Sequence, residues 1–202
     1  MKRIIKRIFD IFFSLLLLTV FFPLLIATSL LSLLFQGNPI LFIHERLGEN
    51  RKSFKMIKFR TMNNEPSISA KDDERRLTEW GRFLRRTSID EILVLLNVFK
   101  GDMSLVGPRP MPVKYFDRFS DYQLKRFNLK PGITGLAQIK GRNNISWDER
   151  FRFDVDYVYN NSFFIDLKII FLTVFVVLKG SGVGSFDSEI MPEFLGKKDK
   201  KA

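Results

Sequence analysis

The stretch Ile11–Phe35 reads IFFSLLLLTVFFPLLIATSLLSLLF, and the class of fold turns on it. No Asp, Glu, Lys or Arg occurs from Ile11 to Ile43. The run exceeds the ~20 residues that carry a helix across a ~30 Å hydrocarbon core. It is too long for the ~7–15-residue apolar region of a cleaved signal peptide. Both flanks are basic: Lys2, Arg3, Lys6 and Arg7 precede it, and Arg46, Arg51, Lys52, Lys55, Lys58 and Arg60 follow it. Basic flanks stay on the cytoplasmic side, and a straight span cannot keep both there. Pro23 sits in the middle of the run. It lacks an N–H and its ring clashes with the carbonyl of Thr19, so the helix breaks. The reading is a Pro-kinked re-entrant helix, with a kinked helix crossing the membrane once as the alternative. Thr19 can cover part of the backbone polarity that the break exposes.

Outward from this segment the chain alternates short elements. Residues 45 to 62 read as a short strand or interfacial edge, and 63 to 73 as a polar loop. A charged amphipathic helix over 74–86 carries Leu77, Trp80, Phe83 and Leu84 on one face. An apolar helix over 89–99 ends at Lys100-Gly101-Asp102. Residues 117–128 and 147–159 read as helices. Phe163–Leu178, interrupted by Asp166, is too short and too charged for a confident span, and reads as a helix lying in the interface or closing the core. The fold class is therefore α+β and mainly helical: a membrane helix over 1–36, a compact cytoplasmic domain with interfacial amphipathic helices over 37–186, and a basic, disordered tail over 187–202.

Composition restricts the chemistry. The 202 residues carry a formal net charge of +11, which calls for a polyanionic partner: anionic lipid, phosphate substrate or nucleic acid. There is no cysteine and one histidine, His44. Thiol nucleophiles, cysteine zinc sites and histidine metal clusters are excluded, leaving carboxylates, Arg, Lys, hydroxyls or a bound cation.

Ser88-Ile89-Asp90-Glu91 precedes an apolar run. As Ser-x-x-Glu it reads as a capping box, which accounts for Ser88 and Glu91 without catalysis. The functional reading places Asp90 in the first helical turn as an ionised nucleophile, with Glu91 positioning it or handling a proton or a metal. In Gly107-Pro108-Arg109-Pro110, two prolines present one guanidinium, suited to bidentate phosphate binding; the alternative is an ordinary turn with Arg109 in solvent. Lys130–Gly135 and Gly141–Asn144, the latter with Arg142, are loops with room for phosphate. Asp154, Asp156 and Asp166 are candidates for metal or structural pairing.

Taken in order, Lys58–Met62 (KFRTM), the SIDE motif at 88–91, Asn97–Pro110 (NVFKGDMSLVGPRP), Pro131–Gln138 (PGITGLAQ), Gly141-Arg142-Asn143, Ile145-Ser146-Trp147 and Asp166-Leu167-Lys168 resemble the monotopic phosphoglycosyl transferases, also called bacterial sugar transferases. The resemblance runs from the N-terminus to about Gly182. It implies a ping-pong reaction in which Asp90 attacks the β-phosphate of a UDP-sugar, UMP leaves, and a polyprenyl (undecaprenyl) phosphate attacks the phosphosugar–aspartate. Glu91 matches the second member of the family's Asp-Glu dyad. Mg²⁺ is implied, with Asp90 as a ligand, and Arg109 matches the phosphate-facing arginine. Lys58, Arg142, Asp154 and Asp166 match further substrate-binding positions. The implied partners are the UDP-sugar, the lipid and the bacterial inner membrane at its cytoplasmic face, with no nucleic acid; the oligomeric state is left open, a homodimer included. After the dyad the chain has Ile92-Leu93-Val94 where the family has Leu-Pro-Gln. Against this stands a membrane-tethered basic protein that binds anionic lipid or nucleic acid without catalysis. The dyad discriminates, because a passive binder has no use for it beyond a helix cap.

Overall fold

The computed structural model describes residues 2–65, 75–141, 145–178 and 193–196. The expected polar loop from residue 66 to 73, Arg142 with its neighbours 143 and 144, and most of the expected tail lie outside the described residues.

The hydrophobic run forms two helices, α1 (Lys2–Val20) and α2 (Phe22–Gln36), bent by 59° at Phe21. Pro23 stands in the first turn of α2, where its missing N–H costs no helical bond. Burial along the pair is inverted relative to a soluble helix. Asp10, Ser14, Thr28 and Ser32 are buried, while Ile4, Phe12, Leu15, Leu30 and Leu34 are exposed. No single helix among the described residues is long and apolar enough to cross a membrane; the bent pair meets that test jointly.

Residues 41–59 form an antiparallel hairpin, β1 (Leu41–Leu47) and β2 (Ser53–Phe59), in register from Leu41 opposite Phe59 to Leu47 opposite Ser53. The single expected strand is thus two. The Gly48–Lys52 turn closes it, with Asn50 and Arg51 both at positive φ. Next come α3 (Glu79–Thr87), a 3₁₀ segment (Ile89–Val94) and α4 (Leu95–Lys100). The expected continuous helix over 89–99 is therefore corrected to a 3₁₀ turn followed by a short α-helix. The 117–128 segment is similarly divided into a short helix, α5 (Asp121–Leu124), flanked by 3₁₀ turns over Val113–Arg118 and Lys125–Asn128. Strand β3 (Ser104–Val106) pairs in parallel with β5 (Gly132–Thr134), and β4 (Met111–Pro112) adds to the hairpin beside β1. Helices α6 (Leu136–Lys140), α7 (Trp147–Asn160) and α8 (Phe163–Leu178) complete the chain.

The main core gathers Met56, Val94, Val98, Met103, Val106, Tyr157 and Ile169, with Phe9, Phe13 and Leu17 of α1 packed on it. α8 closes that core through Ile169 and leaves Phe164, Phe171 and Val174 exposed. A second, aromatic cluster joins Tyr115, Phe151 and Phe194. Phe194 corrects the expectation for the tail: residues 193–196 are docked, with Glu193 on Arg118 and Lys114 and the Phe194 ring buried, because a large aromatic gains more from burial than the chain loses on ordering.

Candidate active site

The site begins at a strained residue. Ser88 closes α3 in the left-handed region (φ 58°) and its N–H bonds the Arg85 carbonyl. Its hydroxyl caps nothing, and Glu91 does not reach back to it. The capping-box reading is therefore corrected: the left-handed turn redirects the chain into the 3₁₀ segment, and that segment carries Asp90 and Glu91 to one cleft. Genuine capping boxes occur at Ser120/Gln123 and Ser146/Glu149.

The cleft has a volume of about 760 Å³. One wall is polar: Lys58 and Arg46 from the hairpin, Arg85 from α3, the Asp90–Glu91 pair and Arg109. The other wall is apolar, with Phe9, Phe13 and Leu17 from α1 and Leu167, Ile170 and Val174 from α8. Asp90 is almost fully buried; its carboxylate lies 3.9 Å from the Lys58 ammonium. Glu91 receives a hydrogen bond from the Arg109 guanidinium at 3.1 Å.

The two carboxylates are pushed apart in acidity. Burial, reinforced by the charge of Glu91, raises Asp90 to about 6 against the pull of Lys58. Burial also acts to raise Glu91, but Arg109 and Lys58 together outweigh it and hold Glu91 at about 2. The pair titrates as a unit, with Glu91 the charged member and Asp90 the one that changes. Burial lowers Lys58, opposed by Asp90 and Glu91. His44, beside Arg46 on the same face of β1, is pushed down to about 3 by burial and by that arginine, and so stays neutral.

Arg109 is fixed from behind. Gly107, just after β3, lies against Gly132 at the start of β5; a Cβ on Gly132 would stand 2.0 Å from the Gly107 nitrogen. Only glycine permits that approach. Below it, Arg126 donates to the Arg109 carbonyl at 2.6 Å and to Asp154 through two nitrogens at 2.6 and 3.1 Å.

Of the residues singled out in the sequence, Lys58, Asp90, Glu91 and Arg109 therefore come together in the cleft. Asp154 and Asp166 do not line it. Asp154 is paired with Arg126, and Asp166 with Lys6 (2.6 Å) and the Tyr157 hydroxyl (2.5 Å). Sequence reasoning missed Arg46, Arg85, Tyr115, Gln138 and Arg150, which line the same cleft. Arg46 carried a signal, being one of the basic residues after the hydrophobic run, but nothing local separates it from its neighbours.

A model of the bacterial sugar transferase family matches residues 1–180. The chain belongs to that family. This sugar transferase is 44% identical to the uncharacterized sugar transferase EpsL of Bacillus subtilis, over 97% of this chain and 98% of EpsL. It is 39% identical to the undecaprenyl-phosphate galactose phosphotransferase of Salmonella typhimurium, over 90% of this chain and 42% of that protein. It is 38% identical to the UDP-glucose:undecaprenyl-phosphate glucose-1-phosphate transferase of Escherichia coli, over 86% of this chain and 40% of that protein. The chain thus spans nearly all of EpsL but about two-fifths of the two enteric relatives.

Proposed function

We propose that this sugar transferase is a phosphoglycosyl transferase that moves a sugar-1-phosphate from a UDP-sugar to a polyprenyl phosphate, releasing UMP, as a first membrane step of bacterial glycoconjugate assembly. The observation that carries this is the two-walled cleft: a buried carboxylate among cations on one wall, and apolar side chains of α1 and α8 on the other. A diphosphate suits the first wall and an isoprenoid chain the second. The name of the Escherichia coli relative pairs a nucleotide-sugar, UDP-glucose, with undecaprenyl phosphate, and that of the Salmonella typhimurium relative names the same lipid carrier.

In the first step an Asp90 carboxylate oxygen attacks the β-phosphorus. The new O–P bond forms as the bond to the α-phosphate oxygen breaks, and UMP carries that electron pair away. In the second, an oxygen of polyprenyl phosphate attacks the same phosphorus, the Asp90–phosphorus bond breaks, and the free carboxylate returns. Arg109, held by Glu91, Arg126 and the close-packed glycines, binds phosphoryl oxygens without having to be ordered first. Lys58 compensates charge beside Asp90. Among the described residues no group of three or more acidic or histidine side chains forms a self-sufficient metal cage. A Mg²⁺ bound together with the diphosphate would be held by Asp90. It supplies charge neutralisation on the diphosphate.

Membrane attachment is supported by the bent pair. Its two flanks meet: the Arg3 guanidinium lies 3.7 Å from the Glu49 carboxylate, although the whole hydrophobic run separates them in sequence. Arg60 caps the far end of α2 through the Gln36 and Gly37 carbonyls at 2.6 and 2.8 Å. Both ends are thus tied to one domain. At ~1.5 Å per residue, arms of 19 and 15 residues bent by 59° and dipping symmetrically reach roughly 11–14 Å deep. That is about half of a ~30 Å core. The basic flanks favour the cytoplasmic face of the inner membrane.

The deciding experiment is UMP release by protein in nanodiscs, with Mg²⁺, undecaprenyl phosphate and a panel of UDP-sugars. Release with one donor, lost in Asp90→Asn, supports the reading. Release that survives Asp90→Asn overturns the covalent step. No release from folded protein with any donor points to a binding protein for anionic lipid or nucleic acid.

A further inference from the structure

Below the open cleft lies a second, much smaller void of about 20 Å³, room for one water-sized group. It is lined by Arg46, Lys58, Glu91 and Arg109, together with apolar Met56 and Met103. Three cations therefore face one carboxylate. Glu91 is already engaged by Arg109, and Lys58 is shared with Asp90.

Arg46 is the cation left over. It forms no ion pair among the described residues. Its one hydrogen bond, to the Pro110 carbonyl, is long at 3.5 Å, and its Nε is buried without a partner. A desolvated guanidinium beside a second guanidinium is unfavourable on both counts; burial and Arg109 together push Arg46 down to about 10. Glu91 offsets part of this cost, and a further anion in the void would offset more.

We propose that Arg46 is the second guanidinium of the phosphate clamp, and that the void between Arg46, Lys58 and Arg109 receives a non-bridging phosphoryl oxygen of the donor's diphosphate. This rests on the phosphoglycosyl transferase reading. It adds a positioning residue on the hairpin, reached across the cleft from the Pro-Arg-Pro turn. The fork geometry matters as well as the charge, because two N–H groups converge on one phosphoryl group only from arginine.

The test uses the full chain in nanodiscs, with Arg46→Gln and Arg46→Lys. Two readouts are taken: kcat/KM for the UDP-sugar donor, and Tm with and without inorganic diphosphate. Arg46→Gln is expected to lose about 10²-fold in kcat/KM, to show an unchanged or higher Tm without anion, and to lose most of the diphosphate-induced rise. Arg46→Lys is expected to keep part of the Tm rise and little of the kcat/KM. A lower Tm in the absence of anion, with the diphosphate rise intact, assigns Arg46 a structural role and overturns the proposal. So does unchanged kcat/KM. The diphosphate measurement needs no turnover: a wild-type protein that is stabilised by diphosphate through Arg46 but releases no UMP refutes the enzymatic reading alone.

Discussion

At the scale of single residues the dyad illustrates how one motif is read two ways. Ser88 and Ser146 both begin a Ser-x-x-Glu sequence, yet only Ser146 accepts from the Glu149 N–H on its hydroxyl and donates its own N–H to the Glu149 carboxylate. Ser146→Ala is expected to cost ~1 kcal/mol, as helix caps do, and Ser88→Ala less than ~0.5 kcal/mol; paired denaturant titrations check the difference. Acidity makes a second prediction. The covalent mechanism proposed above requires an ionised Asp90, which is raised to about 6, so on that mechanism kcat/KM for the donor should rise as pH increases through about 6. Glu91, held at about 2, adds no inflection above pH 4. The folded-state value of Asp90 exceeds the unfolded one, so its ionised form opposes folding above about pH 6. Asp90→Asn should therefore raise Tm at pH 8 while abolishing transfer, the opposite of what a purely structural carboxylate would show.

At the scale of elements, the bent pair α1–α2 carries the clearest prediction. The chain has no cysteine, so single replacements at Arg3 and Glu49 report on sidedness without background. Both should react with a membrane-impermeant maleimide from the same side of a vesicle; labelling from opposite sides would overturn the re-entrant arrangement. The close approach of Gly107, just after β3, to the start of β5 makes another. Gly107→Ala would bring its Cβ to 2.4 Å from the Lys130 carbonyl, forcing the two loops apart and displacing Arg109. Loss of transfer with the helical content retained, measured by circular dichroism, is the expected result. The hairpin was only half legible: the alternation of basic and apolar residues marks a strand, but its turn uses Asn50 and Arg51 at positive φ, without the Asn-Gly or Asp-Gly signal that announces a tight hairpin.

At the scale of the whole molecule, three polar side chains of α1 bolt it to the domain. Lys6 pairs with Asp166, Arg7 bonds the Val98 and Phe99 carbonyls, and Asp10 accepts from the Ser104 hydroxyl and the Leu105 N–H. The apolar helix α1 and the domain that carries the charged wall of the cleft are thus one structure, which sets the apolar side chains of α1 against the cleft. Arg126–Asp154 plays the same part beneath Arg109. Asp154→Ala leaves a fully buried guanidinium unpaired and should cost ~3–5 kcal/mol, read as a fall in the denaturant midpoint.

What the sequence determined by itself was local or compositional. The apolar run with its central proline dictated a broken apolar helix. The absence of cysteine and the single histidine left the chemistry to carboxylates and cations. The order of short motifs pointed to the family before any coordinates. What tertiary structure alone decided was partnership. Asp166 meets a lysine 160 positions away and Asp154 an arginine 28 away, where the sequence offered only a choice between metal and ion pair; Asp10 meets a serine 94 away. The same holds for Arg46, one basic residue among several until folding sets it against Arg109. Hydrophobic pattern and proline act through neighbours along the chain. The worth of a charge depends on which other charges share its low-dielectric surroundings, and those arrive from everywhere in the chain.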